Sequence, residues 1–387
     1  MGRMLRTVTF EVEVLSPVHV GTGRVLGKHD LAVIGGRLWR FDPDRVLEGL
    51  SRSPVMMEHY LSDGAQVLAG WPESKRASCA RYVVEWSGLP PGDVREHVAD
   101  ATGRPYLPGS SVKGAVRSAI LWSCHRHAHE KVKEQQRALI GKGGSDPERA
   151  GGPLERGYFG KDPNRNVMRV LMMEDSDPLP AGLLRVAELR IAVEDREGRL
   201  AWFAGPHRRA DDPRKGVAVW AECLPPGART RMKVTLDRFL LWNVTEAGAE
   251  APSRPAEELG FERRRKLLET WTRSCNSASM ARAEAEQRWA SSLGLEAVAG
   301  FYRRLLAEMG RAGDGVYLWL GWGTGWRGKT VVEPLGEEAV ERARAEYRLG
   351  RDGSPFPKTR RVVFVNGAPS FPMGWVRLRP VRQEEDL

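Results

Sequence analysis

Hydrophobic positions along this chain follow two periodicities. From Val112 the apolar residues come at Val112, Ala115, Val116, Ala119 and Ile120, the stripe of a helix packed against a core. Tyr106-Leu107 ahead of Pro108 is expected to be extended, because proline disfavours the α region for its predecessor. Gly109, Ser110 and Ser111 then form a turn in which a serine caps a helix expected to reach about Gln136. Near the start, Thr7–Val14 alternates, with Val8, Phe10, Val12 and Val14 on one face of a half-buried strand. Pro17 and the glycines of LSPVHVGTG, residues 15–23, end that pairing. Asp30–Phe41 reads as a β-hairpin closed by Gly35-Gly36, Asp42 and Pro43 open a short helix, and Arg81–Trp86 is a short strand.

The segment 141–160 is rich in glycine, proline and charge and is expected to be mobile or to order on a partner. Val167–Met173 reads as a strand ending at Glu174-Asp175. Glu188–Glu194 and Leu200–Phe203 form a second hairpin, and Val217–Leu224 and Thr230–Leu236 a third across Pro225-Pro226-Gly227. Linker character at Gly248–Ala256 precedes a helical stretch reaching about Met309. Strand pattern returns at Val316–Trp322, a short acidic helix lies near Glu337–Tyr347, and strands at Arg361–Val365 and Trp375–Leu378 close the chain. Hairpins interrupted by single helices indicate an α+β protein and not a doubly wound parallel sheet. The linker divides it into residues 1–246 and 247–387.

Composition sharpens the picture in two ways. With 60 lysines and arginines against 50 acids the net charge is +10, which favours polyanionic partners, nucleic acid foremost. The four cysteines, Cys79, Cys124, Cys223 and Cys275, form no CxxC pair, which excludes a zinc finger or disulfide framework and fits a reducing compartment. No apolar run reaches membrane-spanning length, so a cytoplasmic protein is expected.

Three stretches carry candidate chemistry. Lys113 and Arg117 border the helical stripe, where cations near a helix start suit a sugar-phosphate backbone; a capped core helix with two solvated cations is the plain alternative. Gly323–Thr330, GTGWRGKT, satisfies G-x-x-x-x-G-K-[ST], but Val331, Val332 and Pro334 follow where a P-loop needs a helix. A better reading has the glycines approach phosphates closely, Arg327 and Lys329 add charge, and Trp322 and Trp326 offer faces for bases; the alternative is a tight turn with two half-buried tryptophans. His19, beside Gly21 and Gly23, could act as the general base of a metal-independent ribonuclease or be a hydrogen-bonded residue at a strand end. His125 and His129, four apart, could share a face as half a zinc site, though no third ligand is identifiable. Glu174, Asp175 and Asp177 could converge on a metal but read equally as turn residues. No cofactor and no metal are expected.

Taken together, LSPVHVGTG, YLPGSSVKGAVRSAIL and GWGTGW, in that order, resemble the RAMP superfamily of CRISPR effector subunits. RVLMMEDSDP (169–178), AECLPPGARTRMKV (221–234) and FPMGWVRL (371–378) are similar to one branch, the fifth subunit of the type III-A Csm complex, which caps the end holding the 3′ part of the guide RNA. The resemblance implies two ferredoxin-like, RNA-recognition-type domains with a helical insertion in the C-terminal half. It implies guide-RNA contacts at Gly109, Ser110, Ser111, Lys113 and Arg117, at His19, Gly21, Thr22 and Gly23, and at Gly321, Gly323 and Gly325. Partners would be the guide (crRNA), target RNA paired to it, the backbone RAMP subunits and the small helical subunit, with no membrane. In related backbone subunits a loop aspartate cuts RNA; Asp30 lies in that region but in different local wording, and its role stays open. The reading is a non-catalytic guide-RNA-binding subunit, the alternative a metal-independent precursor-RNA endoribonuclease with His19 as base.

Overall fold

The alternating run near the N-terminus forms strand β1, Leu5–Val14, with Phe10, Val12 and Val14 buried on one face. The remaining strands are β2 (Gly21–Leu26), β3 (Leu31–Ile34), β4 (Arg37–Phe41), β5 (Ala80–Glu85), β6 (Val94–His97), β7 (Leu171–Met173), β8 (Arg185–Glu194), β9 (Leu200–Gly205), β10 (Arg208–Ala210), β11 (Ala218–Cys223), β12 (Arg229–Asp237), β13 (Val316–Trp319), β14 (Thr359–Val365), β15 (Ala368–Phe371) and β16 (Trp375–Pro380). This is a computed structural model describing residues 4–87, 91–144, 146–245, 253–311, 313–350 and 355–381.

Strand β1 is the centre of a five-stranded sheet ordered β13-β16-β1-β12-β7, antiparallel throughout. The helix Gly109–His127 follows β1, and the helix Trp271–Ser292 follows β12. Both pack with this sheet: Val112, Val116 and Ile120 from the first and Cys275 and Ala278 from the second share a core with Val12, Val14, Leu318 and Val376. A larger sheet, β10-β9-β8-β11-β6-β2 with β14 on the free edge of β8, packs against the helix Glu296–Met309 through Trp202, Val362, Phe364, Phe301 and Tyr302. A third unit, β3-β4-β5 with the helices Pro43–Leu50, Pro54–Asp63 and Glu73–Cys79, has its own small core around Trp39, Phe41, Leu50 and Tyr60. Most of the linker Gly248–Ala256 lies outside the described residues, and strands from both sides of the 246/247 division share each of the two large sheets.

The locally encoded elements form as expected. Gly35 and Gly36 both take positive φ, as a two-residue turn between right-twisted strands requires. The Asp42 carboxylate accepts hydrogen bonds from the N–H groups of Asp44 and Arg45, with Pro43 at the first helical position. The hairpin β8–β9 pairs as read.

Other expectations fail. The helix from Gly109 ends at His127, because Ala128 and His129 are extended, and a separate helix Glu130–Arg137 follows. His125 and His129 therefore share no helical face. Strands β11 and β12 are not a hairpin: β11 pairs with β8 and β6, whereas β12 pairs with β1 and β7. Pro225-Pro226, lacking N–H groups, carries the chain from one sheet to the other, and the Gly227 N–H donates to Val14. Residues 167–170 form a 3₁₀ turn, leaving only Leu171–Met173 as strand. Within the described part of 141–160, Gly152–Phe159 is a helix folded against the chain itself, its Leu154 and Phe159 buried.

No serine caps the helix Gly109–His127. Pro108 is its N-cap, both serines lie inside it, and the Gly109 N–H donates to Asp175 Oδ1 at 2.8 Å. Gly109 is needed for close approach, since a Cβ there would stand 2.1 Å from the Met173 carbonyl oxygen. Gly109→Ala is therefore expected to destabilise the fold by about 2 kcal/mol, overpacking outweighing the better helix propensity of alanine, as measured by urea unfolding.

Candidate nucleic-acid interface

The loop after β1 is stitched into place by backbone. Leu15 and Ser16 donate to the Trp375 carbonyl, Val18 exchanges hydrogen bonds with Leu224, and the Gly374 N–H donates to Pro17. The glycine-rich loop after β13 then seats on this one: the Trp322 N–H donates to the His19 carbonyl and the Leu320 N–H to Gly374. Gly321, at φ +85°, is required at this contact, because a Cβ would lie 2.5 Å from the His19 oxygen.

A cleft of about 620 Å³ opens where these loops meet the signature helix. His19, Gly21 and Gly23 line one wall, Ser111, Gly114 and Ser118 another, and Gly321, Trp322 and Lys329 a third. Three segments far apart in sequence thus converge. Thr22 is held at the rim, its hydroxyl donating to Glu96 and accepting the Arg24 N–H. Behind Trp322 a second cavity of about 470 Å³ is bounded by Gly323, Gly325, Trp326, Lys329 and apolar side chains including Leu154 and Val332. Trp326 meets Phe356 edge-on, ring centres 4.8 Å apart.

Other expected residues lie elsewhere. Lys113 and Arg117 sit roughly half a turn around the helix from Ser111, in a separate groove with Arg156, Lys161 and Arg169. There Arg117 pairs with Glu155, and burial with the Arg117 charge holds Lys113 below the usual lysine range. Arg327 is engaged inward, with Glu333 at 2.8 Å and the buried Glu286 at 3.0 Å. Gly109 and the exposed Ser110 flank the helix start, where the Asp175 carboxylate takes the position expected for a phosphate. The helix after the glycine-rich loop is five residues long, Gly325–Lys329, unlike the helix a P-loop needs.

His19 is buried, with Nδ1 2.7 Å from the Glu222 carbonyl oxygen and a Cβ on Gly21 would lie 2.7 Å from its Nε2. Burial lowers its pKa, that hydrogen bond opposes the shift, and the Arg95 charge adds to it. The neutral ring donates from Nδ1 and packs edge-on against His97 and Trp322. His125 is likewise buried, with Nδ1 2.7 Å from the Val331 oxygen.

Behind the His19 loop lies a buried charge network that sequence reading missed. Arg40, almost fully buried, reaches Glu96 at 3.0 Å, Asp30 at 3.3 Å and Glu222 at 3.7 Å. Asp30 also pairs with Arg24 at 2.6 Å and accepts the Gly27 N–H, so both its oxygens are occupied. Glu222 accepts from the Tyr82 hydroxyl and the His97 N–H, while burial pushes its pKa up. Two further residues were missed: Arg95 and Arg361 place their guanidinium groups over the Trp322 ring, 4.8 and 4.4 Å from its centre. Nothing in the four-residue strand around Arg95 marks it out by periodicity.

The sequence model of the RAMP superfamily matches residues 11–327. The chain belongs to the RAMP superfamily. Within that family it is Csm5-like: it is 24% identical over 370 residues to the CRISPR system Cms protein Csm5 of Mycobacterium tuberculosis, strains CDC 1551 and H37Rv, covering 86% of this chain and 85% of that protein. A chain of the type III-A Csm–crRNA–target RNA ternary complex, solved by cryo-electron microscopy, superposes with a TM-score of 0.69 at 23% identity, covering 97% of this chain and 100% of that one. The crystal structure of T. onnurineus Csm5 gives 0.62 at 22% identity, covering 95% and 99%. For this RAMP chain, the convergence of the three motif segments is a property of the fold.

Burial holds His97 at a pKa of about 4 against 6.5 when unfolded. The unfolded chain takes up that proton first, so the histidine's contribution is complete above about pH 6.5 and is lost as pH falls towards 4, about 2 kcal/mol of it by pH 5. Glu222, raised, acts in the opposite sense. Urea unfolding of the native protein and His97→Gln at about pH 7 and pH 5 isolates the histidine by difference: the variant is expected to lose less stability on acidification.

Proposed function

We propose that this RAMP chain is the non-catalytic guide-RNA-binding subunit on the 3′-end side of a type III-A Csm effector complex in the cytoplasm. The observation that carries the proposal is the convergence of the His19 loop, the Ser111–Ser118 face and the glycine-rich loop on one cleft. Its walls are largely backbone that glycine leaves open, suited to a sugar-phosphate chain recognised by shape and charge, with target sequence read by pairing to the guide. The likeness to a chain of the Csm–crRNA–target RNA complex supports crRNA, target RNA and other Csm subunits as partners; the backbone RAMP subunits and the small helical subunit are the neighbours this reading assigns. The fold reading is two ferredoxin-like units: the β-α-β-β-α-β succession of β1, β7, β12 and β16 supports the first, and the larger sheet with its own helix supports the second. Lys113 and Arg117, in their separate groove, would hold a different stretch of RNA.

The environment of His19 supports a binding role over catalysis. Its pKa is moved away from the operating pH that favours a general base, and its ring neighbours are the buried His97 and Trp322. Lys329→Glu is expected to weaken guide-RNA binding about tenfold, alike for all guide sequences, and Lys113→Ala with Arg117→Ala to weaken it more modestly. Fluorescence anisotropy at fixed salt measures both; unchanged affinity in Lys329→Glu removes the cleft as the RNA site. Pure protein incubated with repeat RNA in EDTA is expected to leave it intact, and cleavage abolished by His19→Ala would establish the nuclease reading.

A further inference from the structure

Trp322 occupies a singular position in the molecule. Its side chain packs on the cluster of Leu189, Ala221 and Met373 on the larger sheet, and it borders both the 620 Å³ cleft and the 470 Å³ cavity. Arg95 reaches it from β6 and Arg361 from β14, two strands that β11 and β8 separate. Among the described residues neither guanidinium has a carboxylate within ion-pairing distance, although many arginines of this chain do, Arg24, Arg40, Arg327 and Arg360 among them. Burial holds Arg361 below the usual arginine range, and the charge of Arg95 adds to the shift. Two cations are thus gathered on one indole with no carboxylate paired to either among the described residues, Glu96 in the cleft wall being engaged by Arg40 and Arg24. Lys329 lines both neighbouring cavities.

The geometry points to Arg95, Trp322 and Arg361 as a clamp for one phosphodiester group of single-stranded RNA, a site that rests on the guide-RNA reading above. An anion between the guanidinium groups relieves their mutual repulsion and accepts their planar N–H forks, a geometry phosphate oxygens match. Stacking on the indole fixes both forks before the RNA arrives, which reduces the ordering cost of binding. Trp322 then acts as the platform of the clamp, carrying both guanidinium groups. Both cavities beside it fall in the size range of ligand sites, about 300–1,000 Å³. The nucleosides on either side of the clamped phosphate enter them, the one toward the glycine-lined cleft and the other toward the apolar cavity beside Trp326.

The test is the salt dependence of binding to single-stranded RNA by the full chain. Arg95→Gln with Arg361→Gln is expected to weaken binding about tenfold or more, and to reduce the slope of log affinity against log salt by about 0.7, one phosphate contact. Arg95→Lys with Arg361→Lys is expected to restore the slope while recovering only part of the affinity, because the planar fork is lost. Arg199→Gln with Arg214→Gln, which removes two charges from exposed turns, is expected to change neither. Arg95 is exposed, so Arg95→Gln alone supplies a variant whose folding is not at risk, and it is expected to show a smaller loss in the same direction. Failure of the native chain to bind RNA overturns the functional reading itself. Binding by the native chain with an unchanged slope in the glutamine variants overturns the clamp alone. Glutamine variants that bind RNA normally but fail to join neighbouring subunits also overturn it, assigning the pair to a carboxylate on a partner.

Discussion

The carbonyl oxygen of His19 accepts one hydrogen bond on which the whole cleft depends. That bond, from the Trp322 N–H, seats a late loop on an early one and leaves no room for a side chain at Gly321. A companion contact has the same character: Gly374, at φ +91°, donates to Pro17 and accepts from Leu320, and a Cβ there would stand 2.4 Å from the Leu320 oxygen. Backbone meets backbone at both places, so the motif glycines at 321 and 374 are accounted for by packing before any ligand is considered. The cleft is what remains beside them. Because its walls are fixed by main-chain hydrogen bonds between segments about 300 residues apart, its shape is set when β1 and β16 pair, and a ligand need not organise it.

Charge is distributed on a similar principle. A net charge of +10 says little about where an anion binds, because many of the arginines are already engaged. Arg40 is surrounded by Asp30, Glu96 and Glu222, and Glu286 bridges Arg327 and Arg360. Both groups are buried, and the cost of stripping water from their charges is met by pairing and by added hydrogen bonds such as those from Tyr82 and the His97 N–H. These networks brace the supports of the cleft: the first joins the β3-β4-β5 unit to the strands carrying Arg24 and Arg95, and the second ties the glycine-rich loop to the helix Trp271–Ser292 and to β14. Cations without an acid partner among the described residues, such as Arg95, Arg361 and Lys329, stand out against that background.

How much of this could be read from the chain depends on the range of the interaction. The Gly35-Gly36 turn, the Asp42 cap and the alternation of β1 are decided by residues within a few positions, and all three form as expected. The motif resemblance carried the family and located the three segments that meet. What failed is decided at a distance. Whether β11 and β12 pair with each other or with separate sheets depends on β8 and β1, which local alternation does not report. Composition made 141–160 look like a loop, yet Leu154 and Phe159 find apolar partners elsewhere in the chain and hold it as a helix. Arg327 looked free because Glu286 lies 41 residues away in sequence.

The signature helix shows why residue type alone underdetermines a role. Its start carries the small residues and free N–H groups that suit a phosphate, and an anion is indeed held there, but it is the chain's own Asp175. The positive end of the helix is therefore largely satisfied within the protein, and a second anion at the same place would face that carboxylate. What the helix presents to the cleft is instead the face of Ser111, Gly114 and Ser118, small side chains that let a ligand approach without supplying charge. Charge enters from other elements, the glycine-rich loop and the strands β6 and β14. Shape from one set of residues and charge from another means that neither set, read by itself along the sequence, looks like a binding site.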